Sequence, residues 1–140
     1  MALFFIMRTW VIPDVHGCLQ TLRALIEDMI ELQKDDALIF LGDVIDRGPH
    51  SKGVIDYILK LSESGIDTTV IRGNHEEYMA KVFRDEQNKS VLRKLFGLKS
   101  GSYKEWMMYG GENTMQSFNA YQVLAIPENY IEWIESLPFY

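Results

Sequence analysis

Three short apolar runs alternate with amphipathic stretches along the first part of the chain. The runs cover residues 7–13, 37–41 and 67–71, and each is short and apolar enough to form a buried strand. Between them, residues 19–32 and a stretch that starts near Ser51 place apolar side chains at helical spacing, and a third such stretch follows the last run. This β-α-β-α-β-α order predicts an α/β fold with a parallel sheet and right-handed crossovers.

The pattern changes after about residue 86. Residues 87–140 are interrupted by glycines and predict short helices joined by loops, with a helix over 127–137 whose first turn holds Pro127. Pro138 and the two residues after it are expected to begin a further strand. We therefore expect one domain over 1–140, with a βαβαβα half in 1–86 and a helical segment in 87–140.

Composition and charge narrow the classes of partner. The chain has 140 residues, 47% of them hydrophobic, and a formal net charge of −6, which argues against a broad surface for nucleic acid. No apolar stretch is long enough to span a membrane. From the charge and from this pattern, we expect neither nucleic acid nor a membrane as a partner. Cys18 is the one cysteine and cannot form an internal disulfide, which fits a cytoplasmic protein.

Side chains that can bind metals follow each of the three apolar runs. Asp14 and His16 follow the first run, Asp43 the second and Asn74 the third. Because parallel strands end at the same edge of a sheet, we expect these four side chains to converge. They supply the oxygen and nitrogen donors that bind Mn, Fe and Zn, and Asp43 could bridge two cations. Taken alone, Asp14 and His16 could instead be a helix cap and a histidine satisfied by hydrogen bonds.

The motifs around these residues resemble a known enzyme family. Asp-x-His-Gly at 14–17, Gly-Asp-x-x-Asp-Arg-Gly at 42–48 and Gly-Asn-His-Glu at 73–76 occur in the order seen in calcineurin-like metallophosphoesterases. More narrowly, they resemble the serine/threonine phosphoprotein phosphatase branch with its bacterial and phage members, which also share the Trp-x-x-x-Gly-Gly segment at 106–111. The resemblance covers about 7–140 and implies the N-terminal half of a metallophosphoesterase α/β sandwich.

The resemblance implies a site with two divalent metal ions, Mn²⁺ first and Fe or Zn as alternatives. Asp14, His16, Asp43 and Asn74 match the metal ligands of the family. The implied reaction is hydrolysis of a phosphoester by attack of a metal-bridged hydroxide.

Three residues of the motifs match the catalytic groups of the family. His75 would protonate the leaving oxygen, Asp46 would orient His75, and Arg47 would bind the phosphate, with Asn74 and His75 also contacting substrate. Each has a structural alternative, since Asp46 and His75 could form hydrogen bonds within turns and Arg47 could pair with a carboxylate.

Other residues near the motifs have roles that the sequence leaves open. Arg72 and Glu76 could support the loops or contact substrate. Trp106, Tyr109 and the Gly110–Gly111 pair could border the substrate groove or pack in the core.

One departure from the family concerns the remaining metal ligands. The family completes its two metals with histidines from the second half of the fold, whereas the three histidines of this chain all lie at or before residue 75. We therefore expect an incomplete domain with little activity of its own. A sheet cut at this point would expose an edge and apolar surface, and self-association through it is expected.

Two classes of function follow from these patterns. The first is a serine/threonine protein phosphatase acting on a phosphoprotein, with a hydrolase of dinucleoside polyphosphates or another small phosphoester as the alternative because such enzymes share the motifs. The second is a catalytically incompetent module that binds only phosphate or a partner protein.

Overall fold

The computed structural model describes residues 7–89, 97 and 99–139, and its centre is a parallel sheet of three strands. The strands are β1 (Thr9–Ile12), β2 (Ala37–Phe40) and β3 (Asp67–Val70), in the order β1-β2-β3. The predicted α/β class and parallel order are therefore confirmed.

Helices follow each strand and fill the second half of the chain. Their bounds are α1 (Leu19–Arg23) continued by a π-helical segment (Ala24–Met29), α2 (Ser51–Glu63), α3 (Asn74–Gln87), α4 (Gly101–Trp106) continued by Met107–Gly111 with a kink at Gly110, α5 (Glu112–Ser117), a 3₁₀ turn (Val123–Ala125) and α6 (Glu128–Ser136). Among the helices that the structure describes, none has the length and apolar character needed to cross a bilayer.

Two predictions about the C-terminal region need correction. Pro127 caps α6 from the position before its first residue, because its ψ of 133° is extended rather than helical. Pro138 and Phe139 do not form a strand, although the Pro138 carbonyl accepts a 2.7 Å hydrogen bond from the backbone N–H of Arg72 beside β3. Residues 90–96, 98 and 140 of the predicted helical segment and strand lie outside the described residues.

One face of the sheet is buried and the other is largely open. Ile12, Phe40 and Val70 lie level in the three strands and are all buried, in one cluster that includes apolar residues of every crossover helix and of α6. Val11 points to the opposite face and is 55% exposed, and Leu41 just beyond β2 is 48% exposed. The helices therefore pack on one side, and the motif loops emerge at the end of the sheet.

Asp36, just before β2, ties the starts of the first two strands together. Its buried carboxylate accepts hydrogen bonds from Arg8 Nε and Nη2 at 2.9 and 2.6 Å, from the Gln33 backbone N–H at 2.9 Å and from Trp10 Nε1 at 3.4 Å. The hydrogen bonds from Arg8, more than any other contact, hold the pKa of this carboxyl well below its usual value.

We expect Asp36→Asn to lower the urea midpoint of unfolding at pH 7. The lowered pKa of the folded state means that the carboxylate stabilises the fold above its unfolded pKa of 3.8 and loses this contribution as the pH falls further. The difference in urea midpoint between the variant and wild type should therefore become smaller as the pH falls from 4 to 2. Asp35→Asn, a change at the exposed neighbour, is the control, and a difference that stays constant with pH would argue against an ionic role for Asp36.

Candidate active site

The loops after β1 and β2 hold four non-glycine residues in the left-handed backbone region. His16, Asp43, Asp46 and Arg47 have φ angles of 45°, 49°, 67° and 63°. Residues with a Cβ adopt this region at a cost of about 1–3 kcal/mol each, and such strain clusters at functional sites. Surrounding contacts must therefore hold these loops in place.

Glu76 provides many of those contacts. It is fully buried, and its Oε2 accepts hydrogen bonds from the backbone N–H groups of Asp43 and Gly73 at 2.8 and 2.9 Å. Its Oε1 accepts from the backbone N–H groups of Val44 and Ile45 at 2.9 and 3.3 Å. Burial raises the pKa of this carboxyl, and the backbone donors oppose that rise. Glu76 therefore supports the loop after β2 and joins it to the start of α3.

Three side chains at the end of the sheet converge as metal ligands would. His16, Asp43 and His75 offer ligand atoms that all lie within 4.8 Å of one another. His16 Nδ1 lies 2.9 Å from the Ile45 carbonyl oxygen and donates to it, so Nε2 is the nitrogen that would bind a metal. Asp43 Oδ1 accepts a 3.1 Å hydrogen bond from the His75 backbone N–H. This imidazole and carboxylate set fits a divalent transition metal.

The two other predicted ligands lie at the rim of this cluster. Asp14 Oδ2 lies 3.8 Å from His16 Nε2, and the Asp14 side chain is 61% exposed. Asn74 is the exposed first residue of α3, and its side chain forms no hydrogen bond within the part of the chain that the structure describes. The structure thus brings His16 and Asp43 together, with Asp14 beside His16, and leaves the Asn74 side chain exposed at the start of α3.

The expected hydrogen bond between His75 and Asp46 is present. His75 Nδ1 lies 2.8 Å from Asp46 Oδ2, and both side chains are buried. Asp46 also accepts hydrogen bonds from Trp106 Nε1 at 2.9 Å and from the Thr114 hydroxyl at 2.6 Å. Burial raises the pKa of Asp46, and the donors, led by Thr114, oppose that rise. Trp106 is fully buried, so it positions Asp46 from the core and does not border the groove.

Arg47 contacts the other nitrogen of the same imidazole. Its Nη2 lies 3.2 Å from His75 Nε2, and because a guanidinium only donates, Nε2 must be the acceptor. This arrangement leaves Nδ1 of His75 to donate to Asp46. The Arg47 backbone N–H donates to the Gly110 carbonyl at 3.3 Å, and the Asn113 side-chain amide donates to the Arg47 carbonyl.

Comparison with known proteins agrees with this geometry. The family model described as calcineurin-like phosphoesterase matches residues 7–138. Proteins from Salmonella arizonae and Cronobacter sakazakii, both described as symmetrical bis(5'-nucleosyl)-tetraphosphatases, are 36% identical over 77 residues, which is 55% of this chain and 26% of each relative.

Two solved structures share the fold. One, provisionally assigned as a diadenosine tetraphosphatase, has a TM-score of 0.56 at 22% identity and is matched over 94% of this chain and 43% of its own. The other, a hypothetical protein from Pyrococcus horikoshii OT3, has a TM-score of 0.54 at 20% identity, over 95% of this chain and 48% of its own. The chain thus spans less than half the length of the proteins that it matches.

These relatives confirm the broader family prediction but not the narrower one. The curated relatives carry the name of dinucleoside polyphosphate hydrolases, and they lend no support to a protein substrate or to self-association. From the family match over 7–138, the chain belongs to the calcineurin-like phosphoesterase family.

Proposed function

We propose that this chain carries metal- and phosphate-binding residues of a metal-dependent phosphoester hydrolase whose substrates are dinucleoside polyphosphates. The observation that carries the proposal is the cluster of His16, Asp43 and His75, with Arg47 placed on His75. The choice of substrate rests on the curated relatives and replaces the expected phosphoprotein. Symmetrical cleavage of a dinucleoside tetraphosphate by one water molecule would yield two nucleoside diphosphates.

The donor set of the cluster decides which residues would hold the metal. Asp14, His16 and Asp43 would bind one ion, and Asp43 with Asn74 would contribute to a second, with Mn²⁺ as the first choice and Fe or Zn as alternatives. When bound, the metals would supply positive charge and an activated water.

The side chains of this protein would bind the phosphate and supply a proton. The exposed Arg47 guanidinium can donate two parallel hydrogen bonds to phosphate oxygens, and the Asn74 amide can donate another. When Arg47 turns towards phosphate it releases His75 Nε2, which can then hold a proton. Asp46 keeps the ring aligned, so that His75 can deliver that proton to the leaving oxygen.

The purified 140-residue chain tests this function directly. We expect calorimetric titration to show fewer than two equivalents of bound Mn²⁺, because Asp14, His16 and Asp43 would supply ligands for one ion and only Asp43 and Asn74 for a second. Turnover should be weak, with diadenosine tetraphosphate hydrolysed faster than a phosphoserine peptide or an aryl phosphate. A preference for the phosphopeptide would overturn the substrate, and absence of Mn²⁺ binding would indicate a module that binds only phosphate or a partner. Two tight sites with fast turnover would show that further ligands come from elsewhere.

The three histidines can be separated by the same substitution. We expect His16→Asn to weaken Mn²⁺ binding by at least about 10–100-fold, the cost of disturbing a metal site. His75→Asn should retain most of the Mn²⁺ affinity, because its Nδ1 is engaged by Asp46 and its Nε2 by Arg47. The exposed His50→Asn is the control. An equal loss in His75→Asn would make His75 a ligand and remove its proposed role as an acid.

A further inference from the structure

We infer that Tyr109 is an aromatic platform on which a nucleobase of the substrate stacks. The inference rests on the proposed function, since it assigns the part of a dinucleoside polyphosphate that lies beyond the phosphates. The polar side chains of the three motifs are assigned to the metals, the phosphate and proton transfer, and none of them is assigned to the base.

The setting of the Tyr109 ring is that of a supported but accessible surface. Tyr109 is 45% exposed, although it lies at the site, with its ring centroid 6.3 Å from that of His75. The half-buried Tyr78 of α3 lies behind it, with ring centroids 5.4 Å apart and planes tilted by 36°. Two aromatic rings therefore lie in contact beside the imidazole, and the outer one retains surface for a ligand.

The backbone fixes this ring close to the phosphate-binding arginine. Tyr109 immediately precedes Gly110, whose carbonyl accepts the hydrogen bond from the Arg47 backbone N–H. Gly110 has a φ of +99°, and a Cβ there would lie 2.6 Å from the Arg47 backbone nitrogen, so the two segments approach as closely as a glycine allows. A phosphate held by Arg47 would thus carry its nucleoside to the neighbourhood of Tyr109.

Stacking on one aromatic side chain suits a nucleotide substrate. Every base has a π-face, so a platform of this kind binds bases without strict selection among them. The neighbouring Trp106 cannot serve, because it is fully buried and its Nε1 donates to Asp46. Tyr109 is the exposed aromatic ring next to His75 among the described residues, and its phenol forms no hydrogen bond to any of them.

Binding measurements with two probes separate base recognition from phosphate recognition. Affinities for ADP and for inorganic pyrophosphate would be measured by calorimetry at fixed Mn²⁺ in wild type, Tyr109→Ala, Tyr109→Phe and Tyr109→Leu. Tyr121→Ala is the matched control, because Tyr121 is fully exposed and contributes no contact to the described site. Loss of a stacking ring weakens binding of a base by about 5- to 150-fold.

We expect Tyr109→Ala and Tyr109→Leu to lower the affinity for ADP by about 5- to 150-fold, while the affinity for pyrophosphate stays constant. Tyr109→Phe should retain most of the ADP affinity, and Tyr121→Ala should match wild type. Unchanged ADP affinity in Tyr109→Ala, or equal weakening of both probes, would overturn the platform while leaving the proposed function intact. If wild type binds neither probe, the proposed function itself fails and the platform fails with it.

Discussion

Glu76→Gln should lower the free energy of unfolding by about 2–6 kcal/mol. The buried carboxylate accepts four backbone hydrogen bonds, two on each oxygen, whereas a glutamine side chain has one acceptor oxygen and a donor NH₂ group. At least two backbone N–H groups would be left buried without an acceptor, and each costs about 1–3 kcal/mol. They would be those of Asp43 and Gly73 or those of Val44 and Ile45, and either pair includes the loop after β2, so this loop would loosen with the fold.

Urea unfolding followed by circular dichroism measures this loss. Glu77→Gln is the matched control, because the next residue of α3 is exposed and only pairs with Arg72 at 3.0 Å. Surface pairs of that kind contribute at most about 1 kcal/mol. Equal destabilisation by the two substitutions would contradict the supporting role assigned to Glu76.

Asp43→Asn should reduce Mn²⁺ affinity by at least about 100-fold while preserving the fold. The asparagine oxygen can still accept the hydrogen bond from the His75 backbone N–H, so the local structure has no reason to change. The substitution removes the negative charge at the centre of the ligand cluster. Loss of a residue that supports a ligand lowers metal affinity by roughly 10–100-fold, and loss of the ligand itself should lower it by at least as much.

Calorimetry and a thermal melt together separate these effects. Asp28→Asn removes the same charge from an exposed position on the π-helical segment after α1 and should leave Mn²⁺ affinity near that of wild type. Retained Mn²⁺ affinity in Asp43→Asn would exclude Asp43 as a ligand. A large fall in melting temperature would instead show that its carboxylate is structural.

The sequence was sufficient to predict the sheet and the convergence of its motif loops. Each apolar run is followed by a polar cluster that contains glycine, and the spacing between clusters favours parallel strands with helical crossovers. Because the strands end at one edge, His16 and Asp43 lie close together, with Asp14 beside His16. The apolar periodicity predicts the order of the strands, and that order predicts which polar side chains meet at the edge of the sheet.

Other parts of the site left no local signal. Thr114 donates to Asp46 from 68 residues away, yet within Glu112–Ser117 it reads as an ordinary helical threonine. The π-helical segment Ala24–Met29 belongs to a stretch whose apolar residues are spaced as in an α-helix, so its wider turn cannot be recognised from the sequence. Glu76 lies in a recognisable motif, but its role could not be predicted. Its partners are backbone N–H groups, and these are the same for every residue type except proline.

The substrate could not be predicted for a chemical reason. The shared motifs surround metal ions and a phosphoryl group, which are common to phosphoproteins and dinucleoside polyphosphates. Residues that distinguish the two substrates must contact what lies beyond the phosphate, as proposed for Tyr109. Tyr109 lies in the helical segment, where the sequence pattern was compatible both with residues that border the groove and with residues that pack in the core.

The ties between Asp46 and the helical segment also bear on how the molecule folds. The contact that joins the starts of β1 and β2, Arg8 to Asp36, spans 28 residues, whereas Asp46 meets Trp106 and Thr114 across 60 and 68 residues. Closing the longer loop costs about 0.8 kcal/mol more in chain entropy, and non-local contacts form slowly. During synthesis, Asp46 must wait for the second half of the chain before its carboxylate is satisfied. We therefore expect the hydrogen bonds that hold Asp46 from the helical segment to form after the contacts within the sheet.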